Sequence, residues 1–222
     1  MNVLALETAT EACSVAVLTP AGCCERHVVI PRGHTDVLLD LVGQVLAEAG
    51  LARSAIDVVA FGNGPGAFTG VRIAAAAAQG IACAHDLPLA PVSTLAALAA
   101  GGARLAGAGR YLAAIDARRH EVYAAGWEFA GGSDHHGRCV MADCLAAPAA
   151  LLVPQADTWH AVGNAWSVYR GEFAPDLAAL QALDLLHPHA QDVARLGAAL
   201  HARGASVSAG AALPVYLRGA LD

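Results

Sequence analysis

The chain has 222 residues, 56% hydrophobic and only 14% charged, a balance that excludes intrinsic disorder and leaves ample length for a core. Its formal charge is −6 and its 13 cationic residues are all arginines. So few cations do not build the basic face with which a protein grips a nucleic-acid backbone unaided, and any RNA is expected to be held mainly through a partner. Six cysteines without a C-x-x-C pair, behind a start with no basic n-region, point to a cytosolic chain with reduced thiols. The longest apolar run, 73–84, is too short for a bilayer.

Residues 3–6, 14–18 and 23–30 read as three strands joined by tight turns, an antiparallel meander. The period then changes. Leu38, Leu41, Val42, Val45, Leu46 and Ala49 fall at helical spacing, with Thr35 as cap and Gly50 as terminator of a helix over 36–49. Val37 and Leu39 widen its apolar stripe beyond what one sheet contact needs. A buried-type strand over 56–61, a glycine-rich loop, a helix over 70–84, a strand over 89–92 and a helix from Ser93 or Thr94 through Ala100 follow. The order β-β-β-α-β-α-β-α predicts an α/β fold, a mixed sheet with helices on its faces. It resembles the ribonuclease-H-like half of the actin, sugar-kinase and Hsp70 superfamily.

The stretch 101–109, GGARLAGAG, is expected to be a joint. Strands over 111–115 and 121–127, a loop at AGGSDHHG, a short helix over 143–152, a strand over 158–162 and a helix over 191–201 read as a reduced second copy of the first half. The division expected is a ribonuclease-H-like lobe over 1–103 and a reduced lobe over 104–222, with the C-terminal helix near 190–203 packing back on the first.

Three segments carry candidate chemistry. GNGPGAFTGVRI, at 62–73, lacks the Lys-Ser/Thr ending of a Walker A loop and the downstream acid of a dinucleotide fingerprint. Gly64-Pro65-Gly66 makes a sharp turn, Thr69 can cap the following helix, and Gly70 permits close backbone approach. Arg72 lies in the first helical turn, where the macrodipole disfavours a cation, so an acid or ligand is expected beside it. The loop is either a phosphate cradle or a turn that sets a helix on its sheet. LETATEACSVAV, at 6–17, has an acid at a strand end followed by threonines. There Glu7 can reach a metal-bound water and Thr8 or Thr10 a phosphate, or the segment is only a polar hairpin tip. IDARRHEVYAAGW, at 115–127, clusters Asp116, Arg118, Arg119, His120 and Glu121 between apolar strands, as a solvated tip or a contact surface beside a cleft.

The helix over 70–84 has almost no polar face, and a helix apolar all round should be buried all round. A single sheet covers one side. A partner helix pair is therefore expected against Val37, Leu38, Leu41, Val42, Val45 and Leu46 of the first helix and Arg72, Ile73, Ala76, Ala77 and Gly80 of the second. The alternative is that the second lobe or the C-terminal helix covers them.

Taken in order, LALETATEACSVAVL, GHTDVLLDLVGQVLAEAGL, IDVVAFGNGPGAFTGVRIAAAAAQGIA, APVSTLAALA, IDARRHEVYAA and the terminal LPVYLR resemble the TsaB family, formerly called YeaZ, densely over 2–123 and thinly beyond. The resemblance implies a bacterial, cytoplasmic component of N6-threonylcarbamoyladenosine synthesis at adenosine 37 of tRNA. It implies a non-catalytic subunit that binds and activates the transferase TsaD, helps dock the small ATPase TsaE, and forms a homodimer when alone. TsaD, the catalytic paralogue, carries a metal-binding His-x-x-x-His; Thr94 and Leu98 stand at the matching positions, so no metal site is expected here. Glu7, Thr8, Gly64, Gly66 and Thr69 would form a degenerate nucleotide cleft, with Asp116, Arg118 and Glu121 beside it. No cofactor is expected to bind tightly, with ATP or ADP placed at the assembled complex. His34 is assigned to the interface or cleft, and His135, His136, His187 and His189 to solvated or structural roles. The alternative function is a nucleotide-dependent transferase or phosphotransferase working through the Glu7/Thr8 hairpin and the 62–70 loop. A protease reading fails for want of a Gly-x-Ser-x-Gly elbow or a His-Glu-x-x-His helix.

Overall fold

The computed structural model describes residues 1–131, 137–154 and 158–218. Its first meander consists of β1 (Val3–Glu7), β2 (Ala12–Thr19) and β3 (Gly22–Val29), paired antiparallel in the registers Glu7↔Ser14 and Ser14↔His27. β4 (Val58–Gly62) lies parallel to β1, and β5 (Leu89–Val92) parallel to β4, giving the order β3-β2-β1-β4-β5. The inner strands β1 and β4 are buried throughout, as a sheet covered on both faces requires.

α1 (His34–Glu48) and α2 (Phe68–His85) cover one face of this sheet, packing Leu38, Leu41, Val45, Ala74 and Ala78 onto Leu4, Leu6, Val15 and Phe61. The other face is covered by α3 (Thr94–Ala106) and α6 (Ala190–Ala202), which close over Val3, Ala5, Val58 and Ala60. The two intervening helices, α4 (Ala165–Val168) and α5 (Pro175–Ala178), are a single turn each.

α3 is shared. Ala96 and Ala97 face the first sheet, while Leu95, Leu98 and Ala99 face a second one. The expected joint at 101–109 is therefore displaced: the helix runs through Gly101 and Gly102 and ends at Gly107. Both residues are glycine because the helix is crowded rather than hinged. A Cβ at Gly102 would lie 2.5 Å from the Tyr111 ring, and one at Gly101 would lie 2.9 Å from Leu185. Caps differ likewise. Ser93 does cap α3, accepting from the Ala96 N–H at 3.2 Å, but α1 and α2 start without side-chain caps, and Thr35 and Thr69 sit inside them.

The second sheet comprises β6 (Gly109–Arg118), β7 (Glu121–Phe129), β8 (Arg138–Ala146), β9 (His160–Val162) and β10 (Gln181–Ala182), in the order β10-β9-β6-β7-β8. β6, β7 and β8 are antiparallel and β9 and β10 parallel, so each strand repeats the place of its counterpart in the first sheet. The fold is thus actin-like, with two ribonuclease-H-like lobes. Reduction of the second copy lies in element length rather than strand number. Trp159, Trp166, Tyr169 and Phe173 supply the apolar volume that longer helices would provide, with the Trp166 and Phe173 rings stacked 4.3 Å apart.

The helix expected over 143–152 is instead the end of β8 followed by a 3-10 turn at Pro148–Ala150. Alanine and leucine favour helix locally, but pairing of Ala124 with Cys144 and Val122 with Ala146 overrides that preference. The AGGSDHHG loop, with His135 and His136, lies largely outside the described residues. Among those described, no helix is long and apolar enough to cross a membrane.

Candidate functional site

The β1–β2 turn, the glycine loop before α2, the β6–β7 turn and the segment 215–218 enclose a cleft of about 1130 Å3. Thr8, Thr10, Gly66, Thr69, Arg72, Asp116 and Arg118 line it; Glu7, Gly64 and Glu121 do not. The segments singled out in the sequence meet at one cleft, with Glu7, Gly64 and Glu121 outside its lining.

Glu7 has no exposed surface. Its carboxylate accepts from the Ala9 N–H at 2.7 Å and from the Thr94 hydroxyl at 3.2 Å, and it lies over the bare face of Gly62, where a Cβ would fall 1.9 Å from Oε2. It is a strut between the end of β1, β4 and the start of α3. Burial pushes its carboxyl up to about 7, against the opposing pull of the Ala9 and Thr94 hydrogen bonds.

The glycine loop is packed hard against the hairpin that faces it. A Cβ at Gly66 would meet the Ala9 carbonyl oxygen at 2.5 Å, and one at Gly70 the Thr8 carbonyl oxygen at 2.0 Å. The Ala67 N–H donates to Ala9 O at 2.8 Å, and the Thr8 hydroxyl donates to Gly70 O at 2.7 Å. The Ala67 N–H and the Thr8 hydroxyl are thus taken up in joining the two loops. Of the two readings of this loop, a turn that sets α2 on the sheet is the one with geometry behind it.

Arg72 lines the cleft but pairs with no acid among the described residues. Its guanidinium lies 3.5 Å from the centre of the Phe68 ring, and Nε donates to the Tyr216 hydroxyl at 2.7 Å. The macrodipole penalty is offset by a cation–π contact on an exposed surface. The C-terminal segment thereby ties itself to α2, and Val215 N–H donates to Asn63 O at 2.7 Å. Across the cleft, Asp116 accepts from the Arg118 N–H and the Tyr169 hydroxyl, both at 2.7 Å. Arg118 spans the cleft to Glu11 at 2.8 Å, and Arg218 pairs with Glu121. These pairs are partly exposed and worth little individually; they mark where the lobes meet. His34 Nε2 lies 3.0 Å from the Thr10 carbonyl, at the cleft edge.

The helical surface expected to meet a partner separates into two sets. Leu38, Leu41, Val42, Val45 and Leu46 are buried in the chain's own core, so α1 spends its apolar stripe on its own sheet. Arg72, Ala76 and Gly80 are exposed, and Val37, Ile73 and Ala77 are half-buried. Leu39 and Phe68, each 59% exposed, extend them. Between the helices runs a groove of about 540 Å3, floored by Leu38, Ile73 and Ala77 and walled by Leu39, Phe68 and Arg72. As far as it is described, the C-terminal segment covers one flank of α2, where Gln79 Nε2 donates to Ala209 O and Ala212 O, both at 3.0 Å. Phe68 and Tyr216 are the residues sequence reasoning missed; an aromatic four positions before Arg72 at a helix start was the available signal.

Comparison with known proteins decides the family. Residues 28–222 match the family model described as "TsaD: tRNA N6-adenosine threonylcarbamoyltransferase". The tRNA threonylcarbamoyladenosine biosynthesis protein TsaB of Escherichia coli is 37% identical over 98% of this chain and 95% of its own length. The chain belongs to the TsaB family. The Haemophilus influenzae TsaB is 35% identical over 98% of this chain and 94% of its own. Among solved structures, YeaZ from Pseudomonas aeruginosa superposes with a TM-score of 0.90 at 43% identity, covering 97% of this chain and 99% of that one. A transferase model thus matches a chain whose near relatives carry the TsaB name, so the residues at the paralogue's metal positions matter. Thr94 is buried with its hydroxyl on Glu7, and Leu98 is buried between α3 and the second sheet. Neither presents a ligand atom to a cleft.

Proposed function

We propose that this chain is a non-catalytic subunit of the machinery that makes N6-threonylcarbamoyladenosine at position 37 of tRNA in the cytoplasm. It binds and activates the transferase TsaD through the α1–α2 face, helps dock the ATPase TsaE, and pairs with itself through the same face when alone. The observation that carries this reading is the apolar groove between α1 and α2, flanked by exposed Leu39 and Phe68 and left uncovered by the other described residues. TsaB relatives named for threonylcarbamoyladenosine biosynthesis supply the reaction, and a buried threonine and leucine at 94 and 98, the first with its hydroxyl on Glu7, support an activating rather than a catalytic part. Contact with tRNA is indirect, in keeping with the charge of −6. No cofactor is held tightly by this chain alone; Thr8, Gly66 and Thr69 line the cleft, the Thr8 hydroxyl is taken up by Gly70 O, and adenine nucleotide binds, if at all, at the assembled interface.

The test is reconstitution. TsaD, TsaE, threonylcarbamoyl-adenylate synthase, ATP, threonine, bicarbonate and substrate tRNA are combined with and without this chain, and the modified nucleoside is read by mass spectrometry. Product is expected only with the chain present. Ala76→Asp and Leu39→Asp place a charge on the exposed groove without entering the core, and each should abolish TsaD association and product while leaving thermal unfolding unchanged. Equal product without the chain, or association surviving both substitutions, would sink the reading. ATP turnover by the isolated chain would favour the transferase alternative.

A further inference from the structure

On the opposite face of the first sheet from that groove, three side chains with metal-ligating atoms converge. Glu25 and His27 are two residues apart on β3 and so project from the same face of the strand. His189 immediately precedes α6, which crosses this face. One ligand atom from each of the three lies within 4.8 Å of the others, the only such trio among the described residues.

Two features separate this cluster from an ordinary ion pair. The His27 Nδ1 is buried and has no hydrogen-bond partner, and the same holds for Nδ1 of His187, two residues before His189. A buried imidazole nitrogen left unpaired is costly and calls for an explanation. The carboxylate is also held in place independently of the histidines. Glu25 Oε1 accepts from Ser14 Oγ and from the Gln191 N–H, both at 3.0 Å, and Oε2 accepts from Gln191 Nε2 at 2.8 Å. His189 Nδ1 lies 2.9 Å from the same Oε2. On coordination through Nδ1 the ion takes the place of the proton between these two atoms, which already lie near the separation of two ligands on one metal.

We propose that Glu25, His27 and His189 form a binding site for a borderline divalent cation of the Zn2+ class, which staples the edge strand β3 to the start of α6. Two imidazoles and a carboxylate suit Zn2+, Ni2+ or Cu2+ and disfavour Mg2+ and Ca2+, which take all-oxygen shells. Donors around tetrahedral zinc sit at about 2.0–2.1 Å from the metal, so the trio closes by roughly 1 Å on binding. The His27 and His189 rings now stack with centroids 4.0 Å apart and 11° between planes. An imidazole lone pair lies in the ring plane, so one ring turns about its Cβ–Cγ bond to reach a shared ion. Three protein ligands leave a fourth position to water.

The experiment uses the full chain, stripped with chelator, in a Cys83→Ser, Cys139→Ser background that removes the two exposed thiols. Zn2+ is titrated calorimetrically, and Co2+ is used as the optical probe. One equivalent should bind with a rise in melting temperature, and the Co2+ spectrum should lack a thiolate charge-transfer band. His27→Ala and His189→Ala should each weaken Zn2+ binding tenfold or more and abolish the metal-dependent rise. His187→Ala serves as the neighbouring control and should change affinity less than threefold. Binding unchanged in both His27→Ala and His189→Ala, no stoichiometric binding by the parent chain, or a thiolate band in the Co2+ spectrum overturns the proposal. If either variant fails to fold, the parent chain's stoichiometry and Co2+ spectrum still decide.

Discussion

Replacing Glu7 by glutamine separates a strut from a catalytic carboxylate. Glutamine keeps the shape, the acceptor for the Ala9 N–H and a partner for Thr94, and removes only the ionisable proton. The folded-state carboxyl titrates near 7, against 4.5 for the exposed group. A pKa raised on folding contributes stability in full below the unfolded value, and that contribution is lost as pH rises through the folded value. At about 1.36 kcal/mol per pH unit, the wild-type chain should lose about 3 kcal/mol relative to Glu7→Gln between pH 4.5 and pH 8, nearly all of it by the upper end. Urea unfolding of both chains at about pH 5 and about pH 8 measures the difference directly. In the reconstituted reaction near neutral pH, the glutamine variant should make as much modified nucleoside as wild type. A gap between the two unfolding free energies that does not change with pH would refute the burial argument. Product falling 100-fold or more in a folded variant would instead restore Glu7 as a chemical group.

Gly66→Ala and Gly70→Ala drive a methyl into the backbone of Ala9 and Thr8 and should each cost about 1–3 kcal/mol or more, whereas Gly80→Ala meets nothing within 4 Å and should stabilise by up to about 1 kcal/mol; chemical denaturation ranks the three. Arg104 holds the 2% exposed Asp192 through paired bonds of 2.9 and 3.0 Å, joining α3 to α6. Arg104→Ala strands that carboxylate and should cost about 3 kcal/mol, the lower end of the range for a broken buried pair, because Arg195 remains 3.7 Å away; the same unfolding assay reads it. Tyr216→Ala removes the hydroxyl and ring that hold Arg72, and should weaken TsaD association while moving the melting temperature little, as judged by pull-down and calorimetry.

The first lobe was legible because its strands alternate or run apolar without interruption and its helices repeat at 3.6 residues. The second was less so because its signals are short: β9 has three residues, β10 two, and the tryptophans that fill its core carry no period. Local rules failed wherever distant chain decided the matter. Gly101 and Gly102 look like a hinge until Tyr111 and Leu185 are set against them, and the 143–146 segment looks helical until β7 pairs with it. The breadth of the α1 stripe was read correctly, but its allocation was not. Leu46 and Val45 point to the sheet and Leu39 away, a distinction that requires the helix's rotation about its own axis. The Glu25, His27 and His189 trio was beyond sequence reasoning because 162 positions separate its second and third members.

α6 completes the face of the first sheet, and Val207 pairs with Leu89 beyond it. During synthesis, therefore, the ribosome releases Val3, Ala5, Val58 and Ala60 long before the α6 half of their cover exists. Between Ala106 and Ala202 lie about a hundred residues, which at roughly 5–20 residues per second leaves that sheet face covered by α3 alone for roughly 5–20 s. The nascent lobe is an obvious client for a holdase in that interval. A premature stop anywhere before α6 leaves an adhesive fragment rather than a smaller functional protein.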